Sequence, residues 1–381
     1  MLSHNSHNYY TQLSNTELLS EFINLTRFPL IVLVVLIHSH FIPAGYSLPY
    51  NSYITEYPLY CNISYLCSNL IARVAVPLFF VISGYLFFKK NTESYNWNDY
   101  KTKIKTRLHS LFIPYVIWNI LILTFTLLVQ IVRGGVSEEY DILNYSISDY
   151  FRVFWDIKDG MPFCYQLWFI RDLIIMTLIS PLIYLLLKNR GIATFVLFFS
   201  ALWWLVDLDN VRWYLNSQSM IFFCLGSFIA IHKFDIVEKL QSIKKISYIA
   251  ALVSVTFVMI SFNSGYLYEL NRTLRQLIYH LCILTLLVSF TNIYLDNIVT
   301  KQWRANKFLL NSTFFIYGYH AIMLGYMYGL INMVIDIKSD LFFVLLYFLA
   351  PATVIAFGLL IFSFMRKAFP KITGLITGGR L

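Results

Sequence analysis

The chain has 381 residues, of which 58% are hydrophobic and 13% charged, and its formal net charge is +9. Soluble domains carry about 25% charged residues; this deficit, with a mean hydropathy of +0.62, excludes an ordinary soluble domain and puts most of the chain in lipid. The basic residues are spread along the chain rather than gathered on one soluble unit, so no nucleic-acid partner is expected.

The first 21 residues are polar, and the hydrophobic stretch after them is long enough to span, so no cleavable signal peptide is expected. About 20 mostly apolar residues make a spanning helix. That rule predicts an all-α polytopic membrane protein with about ten transmembrane helices, near 22–42, 65–88, 108–132, 166–187, 191–206, 217–232, 246–262, 274–294, 308–334 and 341–365. The expected organisation is an N-terminal segment 1–21, a membrane domain 22–366 and a tail 367–381. Pro77, Pro114, Pro181 and Pro351 fall in or near spans, where kinks are tolerated if neighbours satisfy the freed carbonyls.

Lys and Arg placement sets the orientation. With the N-terminus inside, twenty fall in inner segments and seven in outer ones, leaving Arg73 and Arg171 within spans. Both termini are therefore expected in the cytoplasm. The outer segments are led by 133–165 and by 43–64, which is rich in tyrosine. Five scattered cysteines, Cys61, Cys67, Cys164, Cys224 and Cys282, form no Cys-x-x-Cys pair, so no metal site is expected. A Cys61–Cys164 disulfide requires both to lie outside.

Charges at membrane depth are expensive and usually functional. Arg27 and His38 stand eleven residues apart in the first span. At ~100° per residue they share a face to within ~20°, separated by ~16 Å of rise. A cation at the inner mouth can hold phosphates, and an imidazole above it can move protons. The plain alternative makes Arg27 an orientation anchor and His38 an interface residue. His40 points ~160° from His38, so the two cannot share a metal. Arg73 enters the apolar run Val74-Ala-Val-Pro-Leu-Phe-Phe-Val-Ile-Ser-Gly84, with snorkelling as its alternative. Ser83-Gly84 allows close helix packing, and Ser83 is a weaker nucleophile candidate. Adjacent Arg171 and Asp172 diverge by ~100° on a helix, so each is expected to seek a partner elsewhere. Asp172 is a candidate to neutralise Arg73 or to orient His38. His320 and His280 sit in the ninth and eighth spans, as function or as packing.

No Walker loop, dinucleotide glycine motif, His-Glu-x-x-His or Gly-x-Ser-x-Gly occurs. What does occur is Arg27-(ten residues)-His38, the Arg73 block running through Val76-Pro-Leu-Phe-Phe-Val-Ile-Ser-Gly-Tyr85, Leu167-Trp-Phe-Ile-Arg-Asp172, and Ser312-Thr-Phe-Phe-Ile-Tyr-Gly-Tyr-His320. Four such blocks, in order over nearly the whole chain, resemble the acyltransferase 3 family of integral membrane acyltransferases. The resemblance implies transfer of an acetyl or other acyl group to sugar hydroxyls of surface glycans or glycolipids in a bacterial cytoplasmic (inner) membrane. It implies acetyl-CoA or another acyl-CoA for the donor. By position it matches Arg27 to the family arginine, His38 to the family histidine and Arg73 to the second-span arginine, with less defined roles for Arg171, Asp172 and His320; with the chemistry above, Arg27 is the candidate for donor binding and His38 for the base. The Val-Pro-Leu-Phe-Phe form resembles O-acetyltransferases of exopolysaccharide or enterobacterial common antigen. Intramembrane Arg, Asp and His also suit a transporter or flippase for a glycan or anionic substrate, but no internal repeat of the common transporter kind is visible.

Overall fold

The computed structural model describes residues 13–39, 56–90, 95–133, 141–156, 160–206, 216–334 and 339–381. These residues are all-α, with no strand among them. His40, Tyr46, Tyr50 and Tyr53 lie outside the described residues.

α1, Asn15–Ile37, opens on a capping box: Ser14 N–H donates to Glu17 Oε2 at 2.9 Å, and Glu17 N–H donates to Ser14 Oγ at 3.3 Å. The first span thus begins and ends earlier than the hydropathy run of 22–42. α2, Pro58–Phe88, is one long apolar run rather than a span starting at 65. It is regular helix to Ser64, π-helix over Tyr65–Leu70, 3₁₀ over Ile71–Val74 and α-helix again from Ala75. Pro77 explains the irregularity. It has no N–H to give the carbonyl four residues back, which is that of Arg73, and its ring crowds the same group. Local 3₁₀ and π turns absorb the mismatch, and Arg73 is placed by them.

α3, Trp97–Val132, repeats the device, with a π segment at Leu108–Phe112 ahead of Pro114. α4, Trp168–Leu178, and α5, Ser180–Leu187, are one apolar run bent by 66°, with Pro181 in the first turn of α5. α6, Arg190–Val206, is only 17 residues. α7, Ser217–Ile231, and α8, Ile236–Ser242, bend by 112° across Lys233, which sits at φ 50°. Long helices follow: α9, Lys244–Asn263; α10, Arg272–Lys301; α11, Lys307–Val334; and α12, Asp340–Ala368. A short α13, Pro370–Thr377, closes the chain.

Among the described residues, seven helices are long and apolar enough to cross a membrane, or nine if each bent pair is one span; α6 falls short in length. This is a multi-pass membrane protein. Its apolar exterior is plain on α9, where Ile246, Ile249, Leu252, Val253, Phe257 and Ile260 are all exposed.

α2 and α7 touch backbone to backbone. A Cβ on Gly84 would stand 2.1 Å from the Phe223 carbonyl oxygen, and one on Gly226 1.9 Å from that of Val81. Small residues at such crossings are the usual device for close approach in lipid. α1 packs against α2, α10 and α11 and is the central post of the site. The tail is docked rather than loose. Trp118 Nε1–H donates to the Ile376 carbonyl at 2.9 Å, and Gly378, at φ +65°, lies against the Ser110 carbonyl. Pro114 is four residues beyond Ser110 and leaves that carbonyl without its usual helical donor. Cys61 and Cys164 are both buried free thiols, so the disulfide does not form.

Candidate functional site

Two of the cavities along α1 hold the singled-out residues. The first, about 350 Å³, has His38, Arg73, Gln166, Trp168, Arg171, His280 and Tyr317 in its wall. The second, about 140 Å³, is lined by Arg27, Ser83, Arg107, Thr313, Tyr317 and Arg380 among others. Tyr317 belongs to both. Its hydroxyl donates to the Gln166 carbonyl, and its ring meets Phe169 edge-on at 6.2 Å. Arg27 and His38 therefore open into two chambers that adjoin at one aromatic ring.

His38 is not inside the helix. It caps the C-terminus of α1, with φ −96° and ψ 3°, and its backbone N–H bonds the Val35 carbonyl. Its ring Nδ1 is 3.2 Å from the Tyr165 hydroxyl, and its centroid is 5.2 Å from that of His320. Ending the helix here leaves the imidazole as the last member of the first span's side-chain row, in the chamber wall.

Arg73 donates from Nη2 to Asn69 Oδ1 at 3.3 Å, while its buried Nε has no partner among the described residues. Arg171 and Asp172 do pair, contrary to the expectation from their ~100° divergence. Arg171 Nε and Nη2 donate to Asp172 Oδ1 at 3.0 and 2.7 Å. The arginine side chain is long enough to fold around the helix, and both groups are buried, so separating them would leave two bare charges. Asp172 Oδ2 accepts from the Asn216 N–H at 3.3 Å, at the start of α7. The carboxylate thus neither neutralises Arg73 nor orients His38. It fixes Arg171, whose buried Nη1 has no partner among the described residues while the guanidinium lies 5.7 Å over Trp155.

His320 is fully buried behind His38. His280 stacks on Trp204 at 4.4 Å in the same chamber wall. Ser83 opens into the other chamber, whose wall carries no histidine or carboxylate among the described residues to activate a hydroxyl nucleophile.

The smaller chamber gathers three guanidiniums from distant parts of the chain: Arg27 on α1, Arg107 on α3 and Arg380 beyond α13. No carboxylate pairs with them among the described residues. Arg380 Nη1 donates to the Thr377 carbonyl at 2.5 Å, and the group stacks 4.9 Å over Phe314. Burial, then the charges of Arg27 and Arg107, push Arg380 down to about 10. Such a site suits a ligand with several negative charges, because it holds uncompensated fork-shaped donors. Sequence reasoning had placed Arg107 and Arg380 only as orientation charges, and Tyr317 and Tyr165 not at all. Nothing local marks Arg380, since only the folded tail brings it there.

Among the described residues, no group of three His, Cys, Asp or Glu side chains is placed to hold a metal ion. The larger chamber combines an imidazole with guanidinium N–H donors that meet no partner among the described residues, which is what proton removal from a hydroxyl and stabilisation of an oxyanion require.

Comparison with known proteins fits this geometry. A family model described as an acyltransferase domain matches residues 20–364. Succinoglycan biosynthesis protein ExoH of Rhizobium meliloti (strain 1021) is 27% identical over 169 residues. That match spans 44% of this chain and 43% of the relative's length. No solved structure matches.

Proposed function

We propose that this chain, which belongs to the acyltransferase domain family, moves an acetyl group from acetyl-CoA to a hydroxyl of a bacterial surface glycan or its lipid-linked precursor. The observation that carries the reading is the pair of adjoining chambers, one with three guanidiniums that meet no carboxylate among the described residues and the other with an imidazole beside Arg73 Nε and Arg171 Nη1, which meet no partner among them. The proposed topology has ten spans and both termini in the cytoplasm of a bacterial inner membrane, in line with the Lys and Arg bias. In that frame the arginine chamber faces the CoA side.

Arg27, Arg107 and Arg380 hold the donor's phosphates, and the pantetheine arm passes Tyr317 to bring the thioester beside His38. His38 removes the proton of the acceptor hydroxyl as its oxygen bonds to the acyl carbon. Arg73 or Arg171 donates to the oxyanion of the tetrahedral intermediate, an effect worth ~3 kcal/mol for one good donor. The C–S bond then breaks, and the thiolate recovers a proton from the imidazolium. The part of the relative in succinoglycan biosynthesis supports a polysaccharide acceptor.

The test is acetylation of the host's surface glycan, read by mass spectrometry in cells carrying the wild type, His38→Ala or Arg27→Ala. Loss in both variants is expected. Wild-type acetylation by His38→Ala refutes the scheme.

A further inference from the structure

We propose that His320 is a positioning residue for His38: its Nε2 lone pair receives a ring N–H of His38 and stabilises the imidazolium that forms there. The two centroids stand 5.2 Å apart at an interplanar angle of 48°. With each ring nitrogen about 1.1 Å from its own centroid, the shortest nitrogen–nitrogen approach at that separation is ~3 Å, so a turn of the His38 ring within its place brings an N–H onto His320 Nε2.

The tautomer of His320 follows from its neighbours. Its Nδ1 lies 2.9 Å from the Tyr317 carbonyl oxygen and 3.2 Å from that of Ile316. A carbonyl oxygen only accepts, so Nδ1 carries the hydrogen and donates. A neutral imidazole protonated at Nδ1 has a bare lone pair at Nε2. That atom is fully buried and meets no partner among the described residues. An acceptor kept buried and unmet costs stability unless something arrives to use it.

His38 is the group that comes to need an acceptor. As a neutral ring it has one N–H; after taking the hydroxyl proton it has two. Tyr165 stands at Nδ1 in this structure; with Nε2–H turned to His320, Nδ1 is the nitrogen that takes the hydroxyl proton, the acceptor hydroxyl replacing that of Tyr165 there. In the step already described, the hydroxyl proton goes to His38 and from there to the departing thiolate. His320 neither gains nor loses a proton over the cycle, so its part is electrostatic. The inference rests on the acyl-transfer reading only for the source of that proton.

The rival explanation is structural: the Nδ1 bond alone holds the His320 ring in the core. Two variants of the full chain separate them. Asn places an amide N–H where Nδ1 was and removes the Nε2 acceptor. Gln reaches the Nε2 position with an amide oxygen and removes the Nδ1 bond. Native-host membranes would be given radiolabelled acetyl-CoA, and label would be followed into the glycan fraction. His320→Asn is expected to lower kcat at least about tenfold with KM for acetyl-CoA unchanged, while His320→Gln stays within about threefold. The opposite order, or equal loss, overturns the proposal.

A second readout does not need turnover. Diethyl pyrocarbonate labels an unprotonated imidazole nitrogen, and labelling of His38 at mildly acidic pH is read by mass spectrometry. It should rise several-fold in His320→Asn and not in His320→Gln. Unchanged labelling in both variants overturns the proposal even where no acetyl group moves. A clear labelling difference with no transfer by the wild type overturns the acyl-transfer reading and leaves the imidazole pair standing.

Discussion

Replacing Arg380 by Gln tests the arginine chamber at its least obvious member. The residue is half-buried, and no carboxylate is available to it among the described residues. Its neighbours Arg27 and Arg107 disfavour its charge, so a bound phosphate relieves repulsion as well as accepting hydrogen bonds. A hydrogen bond to a charged group is worth about 1.5–3 kcal/mol. The opening of the chamber to solvent argues for the lower end, which corresponds to about a tenfold loss of donor affinity. The expected result is a KM for acetyl-CoA raised about tenfold with kcat unchanged, because the residue lies across Tyr317 from the reacting carbon. Arg380→Lys should recover part of the loss, since it restores the charge without the fork. The assay is acetyl transfer in membranes over a range of acetyl-CoA concentrations, with the melting temperature of each purified variant as the folding control. A KM within about twofold of wild type in a folded Arg380→Gln variant would refute the three-arginine site.

Asp172→Asn should destabilise the fold by about 3–5 kcal/mol, because it leaves Arg171 charged, buried and unpaired; the double variant Arg171→Met/Asp172→Leu should recover much of that stability while losing activity. Thermal unfolding in detergent, followed beside the acetylation assay, checks both. Gly226→Val forces a side chain into the Val81 carbonyl and should lower the melting temperature, by overpacking of at least ~1–3 kcal/mol. Ser83→Ala should keep near wild-type kcat, since no base faces that hydroxyl in its chamber, and a kcat drop of about a hundredfold would reinstate it as a nucleophile.

Much of this arrangement is legible in the sequence for a simple reason. In lipid, a charge or imidazole that is not serving a site is costly, so Arg27, His38, Arg73, Arg171 and His320 stand out against an apolar background. Hydropathy also finds the apolar runs. It reports composition along the chain and not direction in space, so the 66° and 112° bends in two of those runs are invisible to it. Pro181 marks the first bend; the second turns on a left-handed Lys233, which no propensity favours. The pairing of Arg171 with Asp172 was missed because helical spacing describes Cβ directions, and a side chain as long as arginine can fold back over ~100°. Arg107 and Arg380 look like any cytoplasmic basic residue until Trp118 and Ser110 bind the tail against α3.

The two chambers share one helical rule. On α1, Arg27 and Ile31 line the smaller, arginine chamber, and Val34 and His38 line the larger one. Those positions follow the i, i+4, i+7, i+11 progression of a single helix face. On α11, Thr313 and Tyr317 line the chambers, and His320, the next residue in the same progression, stands against His38. Two packed helices thus present parallel rows, cationic and hydroxylic at one end and imidazole at the other. Tyr317 lies where the rows pass from one chemistry to the next, held by its hydroxyl to the turn that leads into α4. That turn also carries Tyr165, and α4 carries Arg171, so one strap positions the ring between the chambers, the hydroxyl beside His38 and a guanidinium in the wall of the same chamber. On the proposed function, a donor anchored by its phosphates among the arginines would have its reactive end directed to the imidazole by the axis of α1 itself.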